Sequence, residues 1–317
     1  MKISYSKYAL VTRGTRDLKT GALLRVRMGR DEYGYADCHP CVKHGDLPLE
    51  QQLALLAERK KTRLTELSLL YARYDALARK EQHYCFSHRV IPLSNSLVVN
   101  EHEDLIAASE HVSMMKIKVG AHWEPQIEKV RSYLKRAGEK ACRLRLDFSE
   151  SLTEQGYIDF IKKTHDLKPH LDYVEDPFPY DAEAWTRVRK ATGVRVACDQ
   201  QALQALPHAR SCDVIVMKPA THLIDGWLMS RLHGRQLVIT SYLDHPIGQL
   251  VAAYVAAGAK QLAPDLVGVC GLLTHSVFEE TPFSRRLSVQ NGSLIPPKKG
   301  LGWGFDDLLE ALPWEPL

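Results

Sequence analysis

Short apolar runs that each end in a charged residue recur along the middle of this sequence of 317 residues. Successive members stand 19 to 29 residues apart, which is the length of one strand followed by one helix. Repeated units of this kind predict a parallel sheet covered by helices, and eight of them close into a barrel. The charged residues are Lys118, Asp147, Glu175, Asp199 and Lys218.

Eight apolar segments have the length and composition of barrel strands. They are PLSNSLVV, MMKIKV, CRLRLD, LDYVED, VRVACD, DVIVMK, QLVITS and QLAPDLVG. Segments between them carry apolar residues at helical spacing, as in EPQIEKVRSYLKRAGE and HPIGQLVAAYVAAGA. We therefore predict an α/β fold in which the main unit is a modified (β/α) TIM barrel.

The first 90 residues show a different pattern. KISYSKYALV, ALLRVRMG and YGYADCHP indicate strands, and two helices are expected within residues 49–82. We expect an α+β capping domain at residues 1–90 and a catalytic barrel domain at residues 91–285. The Pro- and Gly-rich segment 286–317 is expected to pack back on the capping domain and complete it.

Composition narrows the class of protein. Hydrophobic residues make up 45% of the chain and charged residues 25%, as in ordinary globular proteins. No stretch is apolar for long enough to cross a bilayer, and the N-terminus lacks a secretion signal, so we expect a cytoplasmic protein with reduced cysteines. The net charge of +4 is dispersed among acidic residues, which argues against a nucleic-acid or membrane partner. No particular oligomeric state is favoured.

The charged strand ends predict a metal site. The carboxyl ends of barrel strands share one face, so these side chains should converge there, and Lys116 should point the same way as Lys118. Three carboxylates suit a hard octahedral cation such as Mg²⁺, with Mn²⁺ as an alternative. A lysine close to a second lysine and a divalent cation gives up its proton more readily than a free lysine. Proton abstraction next to a substrate carboxylate is the chemistry that fits.

Several motifs resemble a known family. The K-x-K of MKIKVG, together with LRLD, VEDP, ACD and VMKP, resembles the muconate-lactonizing-enzyme subgroup of the enolase superfamily. Within that subgroup the chain is similar to the o-succinylbenzoate synthases, from the loop TRGTRDLKTGALLRVR to the end near GLGWGF. The resemblance implies a capping domain on a modified barrel and a small carboxylate as substrate.

The resemblance also implies a role for each strand-end residue. Asp147, Glu175 and Asp199 would hold the metal, and Lys118 would be the general base and then the general acid. Lys116 would tune Lys118, and Lys218 would stabilise an enediolate from the opposite side. The implied reaction is dehydration of a cyclohexadiene carboxylate to o-succinylbenzoate in menaquinone biosynthesis. An N-acylamino acid racemase or dipeptide epimerase, in which Lys118 and Lys218 exchange a proton, is the alternative.

Three positions depart from the usual pattern of the family. Ser149 stands where Asn is common, Asp176 replaces Glu, and Gln200 replaces the Glu that usually follows the third ligand. The three ligands themselves are intact. The departures therefore concern the groups behind the metal site, which influence metal affinity.

Other residues have both a functional and a structural interpretation. Arg13, Arg16 and Lys19 in the first polar loop either close over an anionic substrate or are solvated loop charges. Ser94, Asn95 and Ser241 follow or lie in predicted strands. These three either donate hydrogen bonds to the substrate or cap secondary structure.

Two further motifs are interpreted as structural. Cys38 and Cys41, with His39 and His44, have zinc-like spacing, but no second C-x-x-C completes such a site. We interpret them as packing residues. Asp244 and His245 could form an acid-base pair, but the sixth strand ends in Lys218, so His245 is expected to start the next helix.

Overall fold

The computed structural model describes residues 2–30, 32–99 and 103–317. Its N-terminal part is an antiparallel sheet covered by two helices. β1 and β2 pair along their whole length, so residues 12–17 form the loop that joins them. The elements are β1 (Lys2–Val11), β2 (Leu18–Arg27), β3 (Tyr33–Cys38), α1 (Leu49–Ala57) and α2 (Arg63–Lys80).

Helix α2 begins and packs where its sequence dictates. The Thr62 side chain accepts a hydrogen bond from the Thr65 backbone N–H, and Thr65 reciprocates, which forms a capping box. The helix then crosses β3 at very short range. A Cβ at Gly34 would lie 1.8 Å from the Ala72 carbonyl oxygen, so only glycine permits this approach.

The second part of the chain is a curled parallel sheet whose strands lie in chain order. The strands are β4 (Ser96–Val98), β5 (Met114–Lys118), β6 (Arg143–Asp147), β7 (Leu171–Glu175), β8 (Val196–Cys198), β9 (Val214–Met217) and β10 (Gln236–Ile239). The helices that follow them are α3 (Leu105–Ser109), α4 (Glu124–Ala137), α5 (Glu154–Lys163), α6 (Ala182–Thr192), α7 (Ala202–Ala205), α8 (Gly226–Ser230) and α9 (Pro246–Leu262). The prediction of a modified barrel with a capping domain is confirmed.

The predicted eighth strand, QLAPDLVG at residues 261–268, does not form a regular strand, although its Val267 makes an isolated parallel bridge with Leu237 of β10. Helix α9 continues to Leu262, and Pro264 follows without the N–H that a strand ladder requires. The barrel closes instead through isolated bridges that pair Ser94 with Cys270 and Thr240 with Gly271. Irregular backbone therefore replaces the eighth strand.

Strand alternation divides the barrel's side chains between its interior and its helices. Val214 and Val216 of β9 belong to an interior cluster with Tyr173, whereas Ile215 belongs to the core beneath the helices. A side chain two residues beyond Val216 points inward again. The inward positions at strand ends are therefore available for a site.

The C-terminal segment returns to the N-terminal sheet after the hairpin β11 (Ser288–Gln290) and β12 (Ser293–Ile295). It contains α10 (Asp306–Glu310) and β13 (Glu315–Pro316), and β13 pairs with β1. The Trp303 side chain is completely buried and donates a hydrogen bond to the Tyr35 carbonyl. Among the described residues no helix combines the length and apolarity needed to cross a membrane. The domain limits given above stay a prediction.

Candidate active site at the barrel mouth

The strand-end residues lie side by side at the carboxyl face of the barrel. In the strand register Lys118 is opposite Asp147, and Asp147 is opposite Glu175. Asp199 and Lys218 directly follow β8 and β9. Since β5 and β9 are separated by three strands of the barrel, Lys118 and Lys218 approach the site from opposite sides.

Each lysine contacts a carboxylate. Lys116 Nζ lies 2.5 Å from Glu175 Oε1 and 3.1 Å from Asp147 Oδ2. Lys118 Nζ lies 3.3 Å from the same Asp147 oxygen. Lys218 Nζ bonds both carboxylate oxygens of Asp199. The structure thus brings together all six residues that the sequence assigns to catalysis and metal binding.

The charges shift the pKa values of the acids in opposite directions. Burial favours a neutral carboxyl, but Lys116 and Lys118 hold the pKa of Asp147 below its usual range. Lys218 and Lys116 likewise lower the pKa of Asp199 against the effect of burial. The pKa of Glu175 is raised to about 7, because burial, together with Asp147 and Asp199, outweighs the attraction of Lys116. Glu175 is therefore the least compensated of the three acids.

The donor atoms fit a divalent cation. Single carboxylate oxygens of Glu175, Asp176 and Asp199 all lie within 4.8 Å of one another. Both Asp176 oxygens already accept backbone N–H groups, from Asp199 at 3.0 Å and Gln200 at 3.1 Å, which leaves Asp176 a supporting role. Glu175 Oε2 is buried and has no hydrogen-bond partner among the described residues. A divalent cation would satisfy this buried carboxylate oxygen beside the other carboxylates.

A cavity of about 370 Å³ lies above this cluster, a volume suited to a small organic ligand. Both domains contribute to it. The barrel supplies Lys116, Lys118, Asp147, Asp199 and Lys218, and the capping domain supplies residues from the start of β2 and from the loop after β3. Apolar side chains also line the cavity, including Leu18, Pro40, Val42, Leu97 and Leu243. The site can therefore enclose an apolar ring that carries a carboxylate.

Comparisons with known proteins agree with this geometry. A family model described as o-succinylbenzoate synthase, N-terminal domain, matches residues 3–78, and one described as enolase C-terminal domain-like matches residues 99–308. An o-succinylbenzoate synthase from Bdellovibrio bacteriovorus is 34% identical over an alignment of 332 positions, which covers 99% of this chain and 98% of that protein. The chain belongs to the o-succinylbenzoate synthase family.

Several solved structures share the fold of this member of the o-succinylbenzoate synthase family. A mandelate racemase/muconate lactonizing enzyme from Roseiflexus sp. has a TM-score of 0.77 at 18% identity, over 95% of this chain and 96% of that one. A dipeptide epimerase from Enterococcus faecalis, complexed with Mg and the dipeptide L-Leu-L-Tyr, has a TM-score of 0.75 at 15% identity, over 96% and 98% of the two chains. At such identities the likeness establishes the fold.

The positions that depart from the family pattern support the carboxylates. Ser149 adopts a left-handed backbone with φ of 49°, where Asn is more comfortable than Ser. In this conformation its N–H and hydroxyl both lie 3.0 Å from Asp147 Oδ1, and the hydroxyl also bonds Lys118. Asp176 holds the backbone N–H groups of Asp199 and Gln200. The substituted residues therefore still orient two of the three acids.

Two of the residues predicted to contact substrate line the cavity, namely Lys19 and Ser241. Asn95 lines a smaller space of about 30 Å³ inside the barrel, next to Lys116, and its side-chain oxygen accepts from Arg145. Ser94 Oγ accepts the Leu272 backbone N–H. Substrate contacts for these residues stay a prediction.

The other two predicted substrate residues point elsewhere. Arg13 Nε donates to the Phe278 carbonyl at 2.7 Å, and Arg16 lies 4.0 Å from Glu279 on the surface. Neither lines the cavity among the described residues. A substrate-binding role for them would require the loop to take another position.

The loop after β3 contributes residues that the sequence did not identify as part of the site. His39, Cys41 and His44 line the cavity, together with Tyr242, whose hydroxyl donates to Asp46 at 3.0 Å. The signal that could have found them is their position directly after the last capping strand. His245 caps α9, where its Nδ1 accepts the Ile247 N–H, which confirms its interpretation as a helix start.

Proposed function

We propose that this enzyme is a Mg²⁺-dependent carbon–oxygen lyase that dehydrates 2-succinyl-6-hydroxy-2,4-cyclohexadiene-1-carboxylate to o-succinylbenzoate, a step of menaquinone biosynthesis. The observation that carries the proposal is the pair of lysines on opposite sides of three buried carboxylates, with both lysines, Asp147 and Asp199 facing one cavity. Membership of the o-succinylbenzoate synthase family supports the choice of substrate.

Asp147, Glu175 and Asp199 are the residues that would hold Mg²⁺ or Mn²⁺. Their oxygens are hard ligands, and Lys116 keeps two of them close together before any ion binds. When bound, the ion supplies Lewis-acid stabilisation of the negative charge that develops on the substrate carboxylate.

Lys118 is the group placed to move the proton. Its side chain is 43% exposed and lines the cavity, whereas that of Lys116 is 15% exposed and is held between two acids. The unprotonated amine of Lys118 would take the proton from the carbon that bears the carboxylate. The resulting ammonium would donate this proton to the hydroxyl group as its C–O bond breaks, and water leaves. Because one lysine serves both steps, proton and hydroxyl depart from the same face of the ring.

Lys218 stabilises the charge that this reaction creates. Its ammonium is held by Asp199 across the cavity from Lys118. A fixed positive charge beside a forming enediolate lowers the barrier most when it needs no reorganisation. Apolar residues around the cavity exclude water and strengthen this interaction.

Turnover of the cyclohexadiene substrate tests the proposal. We expect the purified protein with Mg²⁺ to form the aromatic product, and excess EDTA to abolish product formation. Lys118→Ala should lower kcat by at least about 100-fold, the lower end for loss of a general acid-base group. Lys140→Ala, which removes an exposed lysine away from the cavity, should leave kcat unchanged. Full Mg²⁺-dependent turnover by Lys118→Ala would refute this mechanism.

A racemase or epimerase is the second candidate, because Lys118 and Lys218 could each hold the proton on one face of an α-carbon. Racemization of an N-succinyl amino acid and dehydration of the diene should be measured side by side. Racemization without dehydration would favour this candidate. A cytoplasmic location stays a prediction.

A further inference from the structure

A second cavity of about 390 Å³ opens from the catalytic cavity. The two share six lining residues, namely Lys43, His44, Asp199, Gln200, Lys218 and Tyr242. Beyond these, Arg63 from the start of α2 and Gln201, Thr221 and His222 from the barrel line the second cavity. We call this space the side arm. A ligand in the catalytic cavity can therefore extend a chain past Lys218 into it.

Hydrogen-bond donors without partners dominate the lining of the side arm. Lys43 makes no ion pair or hydrogen bond through its side chain within the described part of the chain. The same holds for the side-chain amides of Gln200 and Gln201 in those ranges. His222 Nδ1 accepts the Lys218 backbone N–H at 3.2 Å, which leaves Nε2 to carry the ring proton. These groups offer a ligand the N–H donors of Lys43, of His222 and of both glutamine amides, beside the two amide oxygens.

Arg63 is held at the edge of the side arm. Its Nε lies 3.3 Å from the Thr221 carbonyl oxygen and its Nη1 lies 3.2 Å from Glu66. The guanidinium is thus positioned by both domains, and its remaining N–H groups are available. A guanidinium with a fixed plane is well suited to a carboxylate.

The acids of the side arm are already occupied. Asp46 Oδ2 accepts the Cys41 N–H at 2.9 Å and the Tyr242 hydroxyl at 3.0 Å, and Asp199 is paired with Lys218. Asp46 keeps its negative charge, since both groups that donate to it are neutral. The lining nevertheless holds three cationic side chains, Lys43, Arg63 and Lys218, against two acidic ones, Asp46 and Asp199. This balance selects for an anionic ligand.

We propose that the side arm binds a second carboxylate of the substrate, carried on a flexible chain away from the reacting ring, and that Arg63 and Lys43 determine this specificity. The inference rests on the proposed function, because the ring and its own carboxylate are placed in the catalytic cavity. It assigns the catalytic cavity to the reacting ring and the side arm to the distal acid. Substrates with an uncharged chain lack the group that the side arm recognises.

Binding of two ligands that differ only at the end of the chain tests this assignment. The probes are o-succinylbenzoate, which has the distal carboxylate, and 2-butyrylbenzoate, which has a methyl group there. Dissociation constants are measured by titration calorimetry with Mg²⁺ present, for wild type and for Arg63→Gln, Lys43→Gln and Lys61→Gln. Lys61 is exposed, lies two residues before Arg63 and does not line the side arm.

We expect wild type to prefer the dicarboxylate. Arg63→Gln and Lys43→Gln should each weaken the binding of o-succinylbenzoate by up to about tenfold, as loss of one charge-assisted contact predicts. The affinity for 2-butyrylbenzoate should stay unchanged. Lys61→Gln should change the dissociation constant of neither ligand. The inference would be overturned if Arg63→Gln and Lys43→Gln weakened the binding of both ligands equally, or if both variants kept the wild-type preference for the dicarboxylate. Circular dichroism and Tm establish that each variant is folded. Lys43 lies on an exposed loop, so its replacement does not endanger the fold.

The two proposals fail separately. If wild type converts the diene but shows no preference for the dicarboxylate, the side arm is wrong and the proposed function stands. If wild type prefers the dicarboxylate but forms no aromatic product, the proposed function is wrong and the assignment of the side arm stands.

Discussion

Lys116 is a largely buried ammonium that supplies the counter-charge of two acids as long as no cation is bound. Burial alone would lower its pKa, but Asp147 and Glu175, followed by Asp199, raise it well above the usual value. Breaking a buried ion pair costs much more than breaking a surface pair, because the remaining charge stays desolvated. The same residue therefore supports both the fold and the metal site.

Replacing Lys116 with Met, which has a similar length and no charge, should separate these two roles. We expect the free energy of unfolding in EDTA to fall by about 3–5 kcal/mol, since Asp147 and Glu175 lose their shared counter-charge. Added Mg²⁺ should restore more stability to the variant than it adds to wild type, because ligand binding stabilises the folded state. Urea denaturation with EDTA and with Mg²⁺ gives both quantities.

The exposed pair between Lys7 and Glu50 supplies the control for this prediction. Its atoms are 2.7 Å apart, but the side chains are 47% and 72% exposed, so Lys7→Met should cost less than about 1 kcal/mol. If Lys116→Met costs no more than Lys7→Met in EDTA, the acids do not depend on this lysine.

At the scale of elements, β3 and the start of α9 are joined by two carboxyl groups, the partly buried Asp37 and the buried Asp244. Asp37 accepts the Tyr8 hydroxyl at 2.6 Å and the His245 N–H at 3.0 Å. Asp244 lies beside it, and its Oδ1 has no hydrogen-bond partner within the described ranges. Oxygens of both acids would lie within 2.8 Å of a Cβ at Gly248, so they converge on one point. Two acids this close and this well shielded from water share at least one proton at neutral pH.

Stability should therefore decrease as this pair loses its proton. Burial raises the pKa of Asp37 to about 7, and burial together with Asp37 raises that of Asp244 well above its usual value. The folded state binds more protons than the unfolded state from about pH 4 up to and beyond pH 7. This contribution is complete below about pH 4 and is lost as pH rises.

Asp244→Asn tests this dependence because it removes an ionisable group and keeps its shape. Relative to wild type, the variant should gain stability between pH 5 and pH 8, by on the order of 1 kcal/mol per pH unit where the slope is steepest. The measurement is the free energy of unfolding in urea at each pH. Asp166→Asn is the control, since Arg131 lowers the pKa of Asp166 and its contribution changes only at lower pH. Parallel curves for Asp244→Asn and wild type would contradict the prediction.

The sequence predicted elements and strand ends well because both are specified locally. Short apolar runs identified β5 to β10, and the charged residue that ends each run identified Lys118, Asp147 and Glu175. The prediction of a regular eighth strand was wrong because the pairing at this place depends on contacts with Ser94 and Thr240, far away in sequence. The side arm is also non-local, as Arg63 and Thr221 meet from 158 residues apart. No local pattern reports such a contact.

At the scale of the whole molecule, Asp75 connects the capping domain to the end of the chain. Its carboxylate accepts the Tyr35 N–H at 2.9 Å, the Trp303 N–H at 2.7 Å and Arg79 Nε at 2.7 Å. Arg79 in turn lies 2.5 Å from Asp306. A Cβ at Gly302 would lie 1.9 Å from Asp75 Oδ1, so the C-terminal segment is packed directly against this carboxylate. One buried acid thus organises α2, β3 and the C-terminal segment together.

Asp75→Ala should consequently release the C-terminal segment as well as destabilise the protein. The change leaves Arg79 and two backbone N–H groups without their buried acceptor, which should lower the free energy of unfolding by about 3–5 kcal/mol. Protease should then cut within residues 297–317 under native conditions, where wild type resists. The matched control is Asp307→Ala, which removes an acid of the same segment whose exposed pair with Arg286, at 2.6 Å, contributes less than about 1 kcal/mol. Limited proteolysis followed by mass spectrometry locates the cut, and urea denaturation gives the energy. A C-terminal segment that stays resistant in Asp75→Ala would show that Trp303 and the pairing of β13 with β1 hold it without this acid.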